Sequence, residues 1–459
     1  MHARLAASRT ITQRIAAASL ALASIAIATL PAGAALRCSN ELQTDVCLEA
    51  DSTCPAFVGT PGPIDAEWPN FQHDPQHTGK SALRGPTCGR VLWQTKLRGP
   101  VLSQPAVGKP LPGESDGVLY VASAKYPVSA FSPRDGSLLW SATDNRGKLP
   151  DRSAPAIGND DSIYVGTRDN DMWAMKLPAT VPDVPPDVLW RQKVCTDGDI
   201  STSPVVSPEG LVYMGSDSLS AGTIMAMCPG PERHVKWCHN PVGDGIKNVS
   251  PALDPSGTRL YVSAGGRDLV TYDASTGEEK WRLRLEDRRN GLRGANYTVV
   301  VNPSTGRIYF GGDSGVLAID PIVDPDTGAE SAAVSILSTP DKGEGLTSPP
   351  AIDVANGRIY FAAARGFNGA LYAADLATGE RIWRIEVPLA QMRNRPPVID
   401  GDGNVYYTGR FSIHGIRPDG TEMWKVDTGD DFQSAPVLAR ARLYAATRQG
   451  KIFAIGGCP

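Results

Sequence analysis

Eight cysteines, two histidines four residues apart and an aspartate-rich turn are the residues of this 459-residue chain whose types and spacing could do chemistry. The cysteines are Cys38, Cys47, Cys54, Cys88, Cys195, Cys228, Cys238 and Cys458. None forms a Cys-x-x-Cys pair with another, so the spacing that tetrahedral zinc sites favour is missing. Their even number reads instead as disulfide bonding. Cys228 and Cys238 flank one hairpin turn and are read as a local bridge. Cys88 precedes the first strand pattern of the body and Cys458 follows the last, so they are read as a bridge between the chain's two ends. The partners of Cys38, Cys47, Cys54 and Cys195 stay open. His73-Asp-Pro-Gln-His77 contains Pro75, which bars the helix that a His-Glu-x-x-His metal site needs. That segment is read as part of a cap, without metal. Asp400-Gly-Asp-Gly-Asn404 opens like a calcium loop, but Phe411 stands at its twelfth place, where the bidentate Glu belongs. It is read as a tight turn.

The elements that position these residues come from a repeat. Tyr120, Tyr164, Tyr213, Tyr261, Tyr309, Tyr360, Tyr406 and Tyr444 each sit inside a short apolar run. About ten residues before most of them stands a proline: Pro105, Pro155, Pro204, Pro251, Pro350, Pro397 and Pro436, with Val299 in the fifth unit. A third run follows, then a turn such as Ser275-Thr-Gly277, then a fourth run carrying Trp140, Trp190, Trp237, Trp281, Trp383 or Trp424. The fifth unit departs again, with Ile336 near the tryptophan place. Each unit reads as four strands joined by Gly, Asp and Asn turns. One four-stranded sheet cannot bury both its faces, and eight stacked radially can. The expected fold is all-β: an eight-bladed β-propeller of four-stranded antiparallel blades. The eighth unit lacks its fourth strand, and Arg90-Val-Leu-Trp-Gln-Thr-Lys96 is a spare fourth-strand pattern ahead of the first unit. The spare strand is expected to join the C-terminal blade and close the ring.

Residues 1–34 are basic, then apolar from Ile15 to Leu30, then small at Ala32-Gly33-Ala34. They read as a secretory signal peptide, which places the chain in the periplasm or outside the cell. Residues 35–67 read as a short disulfide-containing extension and 68–459 as the propeller, with no transmembrane segment in the mature chain. The full chain holds 45 Lys+Arg against 49 Asp+Glu, a net charge of −4. That balance speaks against a nucleic-acid partner, which a basic surplus would attract.

In a propeller the connections from each fourth strand to the next first strand gather at one mouth of the channel. Three residues before the marker proline, or its equivalent, stand Arg152, Ser201, Asn248, Asn296, Thr347, Asn394 and Gln433, with Leu102 as the apolar exception. Arg395 neighbours this set. Arg288, Arg289, Arg293 and Arg393 add positive charge to nearby connections, and Asp197, Asp199, Asp430 and Asp431 add negative charge. These residues are the candidate site for a small polar ligand or a protein partner, because loops on a rigid scaffold carry function. Tyr297 and Phe432 are the aromatics nearest this mouth.

The unit Ser-Pro-apolar, then Gly-x-Ile/Val-Tyr, then Ala-x-Asp-x-x-Thr-Gly-Glu-x-x-Trp is clearest in Ser250–Trp281 and Pro349–Trp383. It resembles the PQQ-like, quinoprotein-type propeller repeat. The lead-in Trp68-Pro-Asn-Phe-Gln-His-Asp-Pro-Gln-His-Thr-Gly-Lys-Ser81 resembles the segment that precedes such propellers. The resemblance implies one of two functions. Quinoprotein dehydrogenases of this fold use PQQ and Ca²⁺, with adjacent cysteines ringed over the quinone, an Asp base and an aromatic floor. This chain has no Cys-Cys pair and no Cys-x-x-Cys-His haem site, and Trp173 is its one candidate floor residue. Other members are non-catalytic, such as the propeller of the outer-membrane β-barrel assembly machine. The residues favour the second kind: a binding or assembly scaffold acting through its mouth loops, with no catalytic residue and no metal. A PQQ-dependent oxidoreductase is the first alternative, and a carbohydrate-binding or polysaccharide-acting propeller the second.

Overall fold

The computed structural model describes most of residues 66–457, together with Cys54 and Ile64. Outside the described residues lie 1–53, 55–63, 65, 458–459 and several connections, the longer being 144–151, 178–186, 194–199, 240–245, 286–296 and 389–394. The signal peptide, most of the extension, Cys38, Cys47, Cys195 and Cys458 therefore fall outside them. So do Asn296, Asn394, Arg288, Arg289, Arg293, Arg393, Asp197 and Asp199.

The described chain forms eight antiparallel sheets arranged as an eight-bladed propeller, and no helix occurs among the described residues. Blade 1 spans 106–141, blade 2 156–193, blade 3 205–239 and blade 4 252–284. Blade 5 spans 300–338, blade 6 345–388 and blade 7 398–427. Blade 8 takes its three inner strands from 437–456 and its outer strand from Val91–Lys96, which pairs antiparallel with Lys451–Gly456. The expected closure is therefore what forms. Cys88, just ahead of that outer strand, is disulfide-bonded, and its Sγ lies 3.9 Å from the Gly456 carbonyl oxygen.

One register repeats from blade to blade. The marker tyrosine of the second strand lies opposite a small residue of the third, which lies opposite the tryptophan of the outer strand. Tyr213, Ala226 and Trp237 form this row in blade 3, and Tyr406, Gly415 and Trp424 form it in blade 7. The small residue lets the indole lie flat across the sheet; a Cβ built on Gly415 would come within 2.4 Å of the Trp424 ring. Five of these indoles then reach beyond their own blade. Trp190 Nε1 donates to Gly230 O at 3.1 Å, Trp237 Nε1 to Ala274 O at 3.0 Å and Trp383 Nε1 to Pro418 O at 2.9 Å. Trp424 Nε1 donates to Pro86 O at 3.0 Å, and Trp93 Nε1 crosses the closure to Pro133 O at 3.0 Å. The tyrosines are buried. Burial pushes the Tyr444 hydroxyl up to about 12.

Blade 5 breaks the row. Tyr309 opposes Ala318, and Ala318 opposes Ser335, not Ile336. In the seven other blades the register irregularity of the outer pair sits just beyond the small residue, next to the tryptophan. In blade 5 it lies between Val316 and Leu317. This slip moves Ile336 one place along, and because side chains alternate in a strand it also sends that residue to the opposite face.

Residues 68–84 run across the inner strands at one end of the ring and behave as a strap and not as a blade. Its backbone carbonyls accept from the inner strands in turn: Pro69 O from Ile157 N, Pro75 O from Leu253 N, Gln76 O from Val301 N and Thr78 O from Ile352 N. Gly79 O accepts from Ile399 N and Arg84 O from Ala441 N, while Trp68 exchanges two bonds with Val107. Every blade but the third is engaged in this way among the described residues. The expected cap is therefore present. Gly79 has φ +69°, and a Cβ there would come within 2.9 Å of the Ala351 methyl, so the strap needs glycine at that crossing.

Candidate functional site

The strap lies at the end carrying the first-to-second strand turns; the opposite end, where outer strands connect to inner strands, is the mouth. The register places the polar set at one equivalent position of successive blades, four residues before the inner-strand residue that faces the marker tyrosine. Ser201 precedes Val205, Asn248 precedes Ala252, Thr347 precedes Ala351 and Gln433 precedes Val437 in this way.

Their side chains are largely engaged by the scaffold itself. Ser201 is buried, and its Oγ accepts from the Asn248 backbone N–H at 3.1 Å, linking blades 3 and 4. Thr347 Oγ1 donates to Ala362 O at 3.3 Å within blade 6. Gln433 Nε2 donates to Asp431 Oδ2 at 3.1 Å. Asp430 is paired with Lys451 at 2.8 Å. Arg395 is 1% exposed, and its Nη1 donates to Gly409 O at 2.9 Å and Phe432 O at 3.0 Å, joining blade 7 to blade 8. Arg152 is exposed, and Asn248 is half-buried with φ +55°.

A second row runs beneath them. Ala154 N donates to Ser203 Oγ at 2.9 Å, Ser203 N to Ser250 Oγ at 3.1 Å and Ser250 N to Thr298 Oγ1 at 2.9 Å. These hydroxyls satisfy backbone donors that the short inner strands leave open between blades. The Ser-Pro of the repeat thus has a structural purpose that the sequence reading did not assign.

Several sequence expectations are corrected. Cys228 bonds to Cys54, with Cα atoms 5.4 Å apart, and not to Cys238. Cys238 is itself disulfide-bonded. It lies opposite Met225 inside the outer pair, on the last strand of blade 3, whereas Cys228 sits at the hairpin turn. The bridge ties the N-terminal extension to blade 3. Tyr297 and Phe432 are 2% and 0% exposed, so neither offers a ring at the mouth. Tyr297 instead donates its hydroxyl to Leu346 O, and Phe432 packs on Phe453. Trp173 is no channel floor. It is buried in the packing between blades 1 and 2, with the Arg191 guanidinium 3.5 Å above its ring.

The aspartate-rich turn folds as expected. Asp400 Oδ1 accepts from the N–H groups of Asp402 and Asn404, and Oδ2 from Gly85 N, Asn404 Nδ2 and the Tyr406 hydroxyl. Those bonds fill the carboxylate's acceptor sites with protein donors. Among the described residues no group of three acidic, His or Cys side chains stands close enough to hold a metal ion. Trp173 is likewise withdrawn into the core.

Two constellations escaped the sequence reading. In the strap, Gln72 and His77 are fully buried. Gln72 Nε2 donates to Pro350 O at 2.8 Å, and the His77 ring bridges Phe71 O and Pro251 O. In blade 7, Ser412 Oγ lies 2.8 Å from His414 Nε2, and His414 Nδ1 lies 2.9 Å from Glu422 Oε2. That is the order of a hydrolase triad. Ser412 and His414 are each 4% exposed and face blade 6, the side on which Ile416 packs, so no substrate reaches the hydroxyl. Burial pulls the His414 pKa down, with Glu422 opposing. The period-two placement of Ser412 and His414 was a usable signal; the cross-strand position of Glu422 was not.

Fold and repeat together define the class: an eight-bladed propeller of PQQ-type repeats, with a strap across its inner strands. The chain belongs to the PQQ-like propeller family whose sequence profile is described as outer membrane protein assembly factor BamB, matched over residues 82–218, 180–409 and 367–457. No curated protein sequence matches it significantly. Solved structures do. Quinohemoprotein alcohol dehydrogenase from Comamonas testosteroni is 16% identical with a TM-score of 0.63, covering 87% of this chain and 82% of its own. BamB from Moraxella catarrhalis is 16% identical with a TM-score of 0.55, covering 80% of this chain and all of its own. Sqt1 from Saccharomyces cerevisiae, 8% identical, reaches 0.60. At these identities the likeness is one of fold. No helix among the described residues is long and apolar enough to cross a membrane.

Proposed function

We propose that this chain is an exported propeller that works as a non-catalytic binding or assembly scaffold, presenting its mouth connections to a protein partner or a small polar ligand. The observation that carries this reading is the use of the mouth residues. Ser201, Thr347, Arg395 and Gln433 are hydrogen-bonded within the scaffold, so they hold the rim in one shape and are not a convergent set of reactive groups. A stiff rim with variable connections suits recognition by surface. The disulfides at Cys54, Cys88, Cys228 and Cys238 accord with an oxidising compartment, and the resemblance of residues 1–34 to a signal peptide accords with export. BamB, an assembly factor by its description, is a member of the same family.

The test is titration of the oxidised protein with pyrroloquinoline quinone and Ca²⁺, followed by tryptophan fluorescence. The scaffold reading expects no saturable change. One-to-one saturable quenching overturns it in favour of the dehydrogenase alternative. N-terminal sequencing of the protein from the exported fraction checks cleavage after Ala34 or Ala35.

A further inference from the structure

Blade 5 ends in an outer strand unlike the others. Glu330–Ser338 is nine residues long and is the terminal strand of its sheet. From Ser331 to Ser338 it reads SAAVSILS, with no charge, proline or glycine. The outer strands of blades 2, 3, 4, 6, 7 and 8 all carry Lys, Arg, Asp, Glu or His, and the uncharged outer strand of blade 1, LLWS, is four residues. Charges and short length are how proteins keep sheet edges from pairing; this edge is long, and past Glu330 it carries no charge.

The surroundings of the edge point the same way. Of the eight exposed large hydrophobic residues among the described ones, Ile322, Val323 and Ile336 belong to the hairpin formed by Gly315–Val323 and this strand. Ser335 stands where the other blades place an indole, and it is exposed, as are Ala333 and Ser331. Glu330, the one charge at the strand's start, is held by Nε and Nη2 of Arg259 on blade 4, with Nε at 3.0 Å.

We propose that this edge pairs antiparallel with the same edge of a second copy of the chain. The sequence is self-complementary about Val334. A two-fold axis there sets Val334 against Val334, Ala332 against Ile336 and Ala333 against Ser335, while Glu330 meets Ser338. No charge faces a charge and none faces an apolar group. This is an isologous contact, which closes on itself as a dimer, and it makes one continuous sheet of two blades by backbone hydrogen bonds.

The experiment is light scattering with size exclusion, and sedimentation velocity, on the whole oxidised chain across the micromolar range. Wild type is expected at twice the monomer mass. Ala333→Lys with Ser335→Lys places Lys against Lys at two pairs, and Ala333→Glu with Ser335→Glu does the same with Glu. Each double variant is expected to dimerise at least about tenfold more weakly, because like charges directly opposite destabilise strand pairs. Mixing the two variants sets Lys against Glu and is expected to restore a mixed dimer. Both positions are solvent-exposed; should one double variant fail to fold, the other carries the same expectation. A wild type that stays monomeric, variants that stay dimeric, or a mixture that does not recombine each overturns the proposal.

Discussion

Blades 5 and 7 occupy equivalent places in the ring and solve the same packing problem differently. Blade 7 buries Trp424 across Gly415 and passes its indole N–H to Pro86 O. Blade 5 has Ser335 at that place, and its join to blade 6 is made by a mixed aliphatic and aromatic cluster, against which Leu337 lies, and by the Tyr297 hydroxyl donating to Leu346 O. The indole supplies apolar area and a directed hydrogen bond together. Without it the outer strand loses its indole lock on the next blade and is free of the register that the lock imposes. The displaced bulge of blade 5 is the visible result.

The comparison can be broken most strongly from the tryptophan side. Trp237→Ala would give blade 3 the deficiency of blade 5, leaving a cavity beside Tyr213 and Tyr272, and should cost about 3–5 kcal/mol. Denaturant unfolding measures it, and a loss below about 1 kcal/mol would show that the indole is not the lock. Blade 3 also carries the Cys54–Cys228 bridge, with 174 residues of separation. Cys54→Ser should lower the melting free energy of the oxidised protein by about 2–4 kcal/mol and leave the reduced protein unchanged. An equal effect in both states would mean that the bridge is not formed in solution.

Arg395 tests whether the mouth is a stiff rim. Arg395→Met leaves the Gly409 and Phe432 carbonyls without a buried partner, and should cost about 2–3 kcal/mol. A neutral outcome would free this arginine for a ligand role. Smaller is a pH effect at blade 7. Burial holds the His414 pKa below its ordinary value, so the unfolded chain takes up the proton first. Stability from this group is complete above pH about 6.5 and falls as pH drops below it. His414→Asn should flatten the stability profile in that window, and an unchanged slope would place the titration elsewhere. Least of all, Ser335→Trp should return an indole to blade 5 and raise stability by up to about 1 kcal/mol. A loss would show that Leu337 already fills the place.

The ring was legible because its signal repeats. Eight tyrosines and six tryptophans at near-constant spacing report one cross-strand row, and each copy supports the others. The closure was legible for the same reason, as a strand pattern missing at one end and spare at the other. Legibility fails where a residue's partner is set by three-dimensional neighbours alone. Cys54 and Cys228 are distant in sequence, while Cys238 is near, so proximity pointed to the wrong bridge. Ile336 was placed by counting, and a bulge shifted by a few residues moved the true position to Ser335. Tyr297 and Phe432 lie in mouth connections, but burial depends on blade packing, which no local pattern reports. The polar ring was found by spacing, but its use, Ser201 to Asn248 and Arg395 to Phe432, is a relation between blades.

The strap changes how this ring comes apart. Blades that touch only their neighbours unfold as a chain of near-independent units, with loosening able to begin anywhere and spread. Here residues 68–84 bind inner strands around the circle, from Val107 to Ile399, and the first turn of blade 8 at Ala441. Detaching one blade strips a bond from an element shared by the others. The segment is also translated before every blade it joins, and Arg84 cannot meet Ala441 until nearly the whole chain exists, which makes final closure a late, non-local event. Unfolding should accordingly follow a single steep transition, with the eight blades gained and lost as one cooperative body.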